Sequence, residues 1–445
     1  MAGTPAVYRF GRFRVDTREQ QLTRDGESIP ITPRVFDTLV VFLDHPGRLL
    51  TKQALLDLVW PDAAVEDANL TVNVSTLRRL LADGDAPSRI ETIPRRGYRF
   101  VGPVDVDRGD DTAAPPAGGD RPGTARAQEL YARANQAAYE ADHWETARDL
   151  YQACVEEAPA FAPAWARLAR CHRVIAKYSS SGALRDVAQS QAEAAFARAL
   201  ALDPALALAH SLYAQLEIDT GRAPDAVLRL LRLIEHQGPD AAAFAGLVHA
   251  LRFCGLLEAS SRAHVRARVL DPAIVTSVAH TFWLLGNADG ALRETTGDIG
   301  YLQGLALASL GRQGDAIAAL RWRERETRDN RARAFLVSLR ALLDGDADES
   351  LAALHRAADE LADPEARYYI ARTYARLGKH DAALSAFVRV VDEGYFCYPA
   401  FLSDPWLDGL RGAAAFDAIM ETAKARHASA ARAFQDANGD AVLGR

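Results

Sequence analysis

The chain has 445 residues, 49 % apolar and 25 % charged, with a formal charge of −7. That length and balance suit about two or three soluble globular domains, and the acidic average argues against a protein that coats nucleic acid without specificity. Cys154, Cys171, Cys254 and Cys397 are widely separated with no C-x-x-C pair, so neither a zinc site nor a disulfide framework is indicated. No apolar run approaches a membrane span and no basic-then-apolar leader opens the chain, which predicts a cytoplasmic protein with no membrane partner.

The charge is unevenly divided. Residues 1–103 carry 14 basic and 13 acidic side chains, and the remainder carries 38 and 46. Between Arg78 and Phe100, six arginines stand against Asp83, Asp85 and Glu91. A local basic patch on an acidic chain suits a small footprint on phosphate.

Residues 7–31 alternate apolar and polar as VYRF, FRVD, QLTR and ESIPI, with Gly11 and Asp25-Gly26 as turn signals; three or four short antiparallel strands are expected. Thr32-Pro33 opens a helix bearing Phe36, Leu39, Val40 and Leu43, and Pro46-Gly47 stops it. A second, short helix follows Thr51 and ends at Trp60-Pro61. The third starts near Asp67, with Leu70, Val74, Leu77 and Leu81 as a narrow apolar stripe. Its opposite side carries Ala68, Val72, Ser75, Thr76 and Arg79, with Thr71 and Arg78 on one shoulder and Asn69 on the other. Small, hydrogen-bonding side chains there let a helix seat in a major groove, while Arg78 and Arg79 can reach guanine edges or phosphates. The runs RIETI and YRFV then form a hairpin whose tip places Arg95 and Arg96 toward a minor groove.

These residues carry a family resemblance. The segments LDHPGRLLTKQALLDLVW, NLTVNVSTLRRLL and IETIPRRGYRFVG, in that order across about a hundred residues, resemble the OmpR/PhoB-type winged-helix effector domain, and the wing is similar to its CadC-like branch. The resemblance implies that the third helix enters the major groove and the wing, Thr92 included, meets the adjacent minor groove. It also implies that Trp60 packs on the sugar-phosphate backbone, that the connection 61–66 faces RNA polymerase, and that two protomers sit side by side on tandem half-sites. Two features depart from the family. Asn69, Asn73, Ser75 and Thr76 stand where better-known members place arginines and a histidine, and the domain comes first with no receiver before it.

Residues 105–124, DVDRGDDTAAPPAGGDRPGT, read as a flexible linker after a domain at 1–104. Beyond it the chain repeats at about 34 residues, the period of stacked helical hairpins. The repeats resemble tetratricopeptide (TPR) units, in which a small residue is followed four places on by an aromatic or leucine. Ala147 and Tyr151, Ala192 and Phe196, Ala226 and Leu230, Ala316 and Leu320, Ser350 and Leu354, and Ala383 and Phe387 fit. The second copy is lengthened around 177–186, and the stretch near 287–298 is shortened. The array is placed at 125–430, closed by Trp406, Leu410 and Phe416, with 431–445 as a tail. Trp165, Phe244, Trp283, Tyr301 and Trp322 are assigned to packing.

The fold class expected is therefore mainly α, an N-terminal winged helix-turn-helix followed by an all-α TPR superhelical solenoid. No phosphate-loop, nucleophile-elbow or metalloprotease motif occurs, so no enzyme, metal or cofactor is implied. The expected function is a sequence-specific transcriptional regulator on double-stranded promoter DNA, with the repeats receiving a regulatory protein, peptide or small ligand. The competing expectation is a TPR scaffold whose winged helix docks protein.

Overall fold

The computed structural model describes residues 7–17, 21–25, 27–29, 31–52, 55, 59, 67–82, 88–93, 97–102, 104–107, 123–138, 143–179, 182–272, 274–295, 300–327, 329–358 and 363–444. They belong to two compact units, Met1–Cys171 with Ala201–Pro204, and His172–Leu200 with Ala205–Arg445.

The first unit opens with β1 (Val7–Phe10), β2 (Phe13–Asp16), β3 (Gln21–Arg24) and β4 (Glu27–Ile29). Helix α1 (Pro33–Asp44), β5 (Leu49–Leu50), α2 (Asp67–Leu80), β6 (Ile90–Ile93), β7 (Gly97–Phe100) and β8 (Asp105–Asp107) follow. One antiparallel sheet runs β4-β3-β2-β1-β8 and a second runs β5-β7-β6. Of the three or four strands expected before α1, four are present, and β8 adds a fifth by pairing Asp105–Asp107 with Val7–Arg9. The acidic start of the expected linker is therefore part of the sheet, because backbone pairing to β1 needs no apolar side chain. Tyr8, Phe10, Phe13, Val15, Phe36, Leu39, Leu70, Leu77 and Phe100 form one buried core with the rest of this domain.

Helices α3 (Ala125–Ala137), α4 (Trp144–Glu157) and α5 (Ala162–Tyr178) come next. Tyr131 meets Tyr151 and Phe161 edge-on at 5.8 and 5.0 Å, in a separate core with Ala127, Ala147 and Cys154.

The second unit takes in the end of α5 and continues through α6 (Gly182–Leu202), α7 (Ala207–Asp219), α8 (Ala223–Gln237), α9 (Ala241–Phe253) and α10 (Leu257–Leu270). A short pair, α11 (Val278–Leu284) and α12 (Ala288–Glu294), marks the predicted shortening. Then come α13 (Gly300–Ser309), α14 (Gln313–Glu326), α15 (Asn330–Asp344), α16 (Ala347–Ala358), α17 (Pro364–Arg376), α18 (His380–Asp392), α19 (Tyr398–Ser403), a 3-10 turn (Pro405–Leu410), α20 (Ala414–Asp436) and α21 (Gly439–Leu443). The i, i+4 pairs found in the sequence are buried in the second helix of each hairpin: Ala226 and Leu230 in α8, Ala316 and Leu320 in α14, Ala383 and Phe387 in α18. A small side chain lets the partner helix approach, and the larger one fills the gap to the next pair.

The C-terminal segment packs on α17. Asp404 accepts from Arg372 Nε at 2.6 Å and from Tyr368 Oη at 2.8 Å, and Arg372 lies over the Trp406 ring at 3.8 Å. Residues 431–445 do more than trail: α20 runs to Asp436, Leu443 is buried, and Asp440 pairs with Arg262 at 2.6 Å. Trp322 is not a packing residue, being 55 % exposed.

Early and late helices of this unit meet directly. Arg252 in α9 donates to Glu365 in α17 through two bonds of 2.9 and 3.0 Å, both side chains buried. Phe396 N donates to Phe253 O at 3.1 Å, and a Cβ on Gly394 would stand 2.2 Å from Gly221 Cα. With φ of +77° and +102°, Gly221 and Gly394 occupy a conformation and a gap that only glycine fills. Burial opposes a charge on Glu365, but Arg252 holds its carboxyl below the usual range.

Arg252→Ala leaves that carboxylate buried and unpaired, and a stability loss of about 3–5 kcal/mol is expected, read as a lowered urea midpoint for the helical transition. Acid acts at the same place. Burial first, and then the Arg252 charge, push His249 down to about 3. An unfolded chain takes up that proton near pH ~6.5 and the folded one does not, so stability falls as pH drops from there. Urea unfolding between pH 7 and pH 4 should show this slope, and His249→Gln should flatten part of it.

Candidate nucleic-acid interface

Helix α2 is seated by its apolar stripe. Leu70, Val74, Leu77 and Leu81 are buried against the domain core. Asn73, on the same side, is buried as well, and its Nδ2 donates to Thr38 Oγ1 at 3.0 Å and Arg34 O at 3.2 Å in α1. Asn73, grouped by sequence with Asn69, Ser75 and Thr76 in place of the family's arginines and histidine, is thus a core residue and does not face a groove. A position three after Leu70 and four before Leu77 lies on the buried stripe, and the amide is satisfied there by α1. That spacing was the available signal.

With that side fixed, Thr71, Val72, Ser75 and Arg79 are exposed, and Thr76 and Arg78 are half-buried. Val72, at 61 % exposure, is the informative member, since an apolar side chain in water on an otherwise polar face fits contact with a thymine methyl. Asn69 lies on α2, one residue before the buried Leu70.

Arg78 behaves differently from the sequence expectation of a base or phosphate contact. Its Nε and Nη2 donate to Ile90 O at 3.0 and 2.8 Å, and Nη2 also donates to Thr92 Oγ1 at 2.7 Å. The guanidinium lies 5.9 Å from the Tyr98 ring centre. Arg78 therefore fastens the last turn of α2 to β6 of the wing and brings Thr92 to the helix. Arg79, one residue on, stays exposed. Arg24 Nη1 donates to Ala82 O at 3.3 Å and ties the first sheet to the chain just beyond α2.

In the wing, β6 and β7 pair Ile90 with Phe100, Thr92 with Tyr98 and Ile93 with Gly97. Gly97 has φ +142°, and a Cβ there would stand 2.0 Å from Leu50 O. Glycine is thus required for β7 to lie against β5. Trp60, the connection 61–66, Arg95 and Arg96 lie outside the described residues.

Comparison with known proteins bears on this domain. Residues 26–100 match the family described as "Transcriptional regulatory protein, C terminal". The transcriptional activator CadC of Escherichia coli K12 is 37 % identical over 100 residues, 22 % of this chain and 20 % of CadC. The transcriptional regulator HilA of Salmonella typhimurium is 39 % identical over 85 residues, 19 % of this chain and 15 % of HilA. Among solved structures, the DNA-binding domain of E. coli CadC is similar at 37 % identity, covering 23 % of this chain and 98 % of that domain, with a TM-score of 0.22. The chain thus spans a fifth or less of the length of these curated relatives.

Two measurements check the geometry. Asn73→Ala strips a donor from buried acceptors in α1 and should cost about 1–3 kcal/mol, seen as earlier urea unfolding. Arg78→Lys keeps the charge but loses the fork, so amide exchange in β6 and β7 should rise in both Arg78→Lys and Arg78→Ala. The chain carries at its N-terminus a domain of the OmpR/PhoB DNA-binding type, with homologues in CadC and HilA.

Proposed function

We propose that the protein is a sequence-specific transcriptional regulator, with α2 in the major groove of promoter DNA and the wing in the adjacent minor groove. The observation that carries this reading is the sorting of α2 into two faces: an apolar one spent on the core, and a polar, small one left in water on a domain whose homologues are transcriptional regulators. In this reading Asn69, Val72, Ser75 and Thr76 supply base readout, with Thr71 beside them. Arg79, Arg95 and Arg96 grip phosphate or the minor groove, Trp60 packs on the backbone, and Arg78 with Thr92 positions the wing.

Residues 61–66 are then the surface for RNA polymerase. The hairpins beyond residue 124 act as a TPR-type regulatory module for a protein, peptide or small ligand, and the protein works in the cytoplasm, where promoter DNA lies. Two protomers on tandem half-sites would add effective concentration to a domain with few fixed charges on its reading helix. No described helix is long and apolar enough to cross a membrane.

Gel-shift titration of the full chain on fragments of its own promoter region tests the reading. A specific complex is expected. Ser75→Ala should lower its affinity by about 1–3 kcal/mol and relax preference at one base position. Arg79→Ala should weaken all sequences alike and reduce the salt slope by about one. Absence of any specific complex, with pull-down partners retained, would instead favour a scaffold whose winged helix docks protein.

A further inference from the structure

The second unit contains a small cavity, lined by none of the residues of the candidate nucleic-acid interface. It measures about 220 Å³ and lies where the end of α5, α6 and α7 meet the start of α17 and the turn after α18. Arg173, Lys177, Arg185 and Arg367 line it, facing Asp219, Asp363 and Glu393. The carboxylates are heavily used. Asp219 takes Arg173 at 2.5 Å and Lys177 at 3.0 Å, and Asp363 takes Lys177 at 2.9 Å. Glu393 is divided between Arg367 and Arg389.

The cations exceed what these acids neutralise. Arg185 donates to Ser179 O at 3.0 Å and has no carboxylate partner among the described residues. Arg173, Arg185 and Arg367 each keep a buried Nε with no acceptor. Gln189, also in the lining, has no hydrogen-bond partner among the described residues. Burial first, and then the nearby charges of Arg389 and Arg185, push Arg367 down to about 10 against the opposing effect of Asp363. Crowded, partly desolvated cations around a void are costly unless an anion joins them.

We propose that this cavity is a binding site for a small phosphate-type dianion, inorganic phosphate or a short phosphomonoester. Guanidinium forks match phosphate oxygens in geometry and charge, and the volume is below that of drug-sized ligand sites. An anion held there bridges early and late helices of the unit, across the seam that Gly221 and Gly394 also close. Ligand binding thereby stabilises the closed array, and this inference stands independently of DNA binding.

Thermal unfolding of the full chain with added inorganic phosphate or glycerol phosphate, against chloride at matched ionic strength, is the test. A saturable rise in Tm with phosphate or its ester, absent with chloride, is expected. Arg185→Gln should weaken it at least tenfold, and Gln189→Glu, which adds a carboxylate at the cavity wall, should do the same without removing any existing ion pair. A larger effect of glycerol phosphate than of phosphate identifies an ester as the ligand, and the reverse identifies the free ion. A Tm that responds to phosphate only as it does to chloride, or a folded Gln189→Glu variant that responds like the wild type, overturns the proposal.

Discussion

Burial of one side of α2 is the constraint on which the candidate interface depends. Leu70, Val74, Leu77 and Leu81 bring apolar area out of water, at roughly 25 cal/mol per Å², and this fixes the rotation of the helix about its axis. Asn73 refines that rotation, because its bonds to Thr38 and Arg34 O are directional where apolar contact is not. A turn of even one residue would draw the amide away from both acceptors and bury Ser75 or Val72. The exposed face is therefore a consequence of core packing, and any sequence preference on DNA is inherited from it.

Arg78 extends the same logic to the wing. A charged side chain near a candidate DNA surface invites assignment to phosphate, yet its Nε and Nη2 are engaged by Ile90 O and Thr92 Oγ1. Helix and hairpin are thus held in one spacing before any ligand arrives, which spares the ordering cost of binding. Gly97 serves the same end by letting β7 lie against β5. Apart from Arg78 and Arg79 in the last turn, the residues of α2 outside the core in this stretch, Thr71, Val72, Ser75 and Thr76, are small and uncharged.

Much of this was legible in the sequence where the signal is local. The stripe at i, i+4, i+7 and i+11 gave the buried face of α2, and small-then-large pairs such as Ala383 and Phe387 marked the second helix of each hairpin. Signals failed where partners are distant or are backbone atoms. The acceptor of Arg78 is a carbonyl twelve residues away, β8 is three residues within an acidic stretch, and Arg252 and Glu365 are 113 residues apart. Asn73 misled because a polar residue on a mixed helix reads as surface until its buried partners are known. The closure of the second unit was hidden for the same reason: periodicity describes each hairpin and its neighbour, whereas contacts such as Phe396 with Phe253 depend on the cumulative turn of many hairpins.

The central claim is that α2 presents its Val72–Ser75–Arg79 side to a major groove with the wing beside it. Dimethyl sulfate and minor-groove adenine protection of the promoter region bound by the full chain measures this most directly. The account predicts protected guanine N7 positions flanked, within one helical turn, by protected adenine N3 positions, with the guanine protection altered in Ser75→Ala and retained in Arg79→Ala at saturating protein. Protection confined to the minor groove, or a major-groove pattern unchanged by Ser75→Ala, would contradict it.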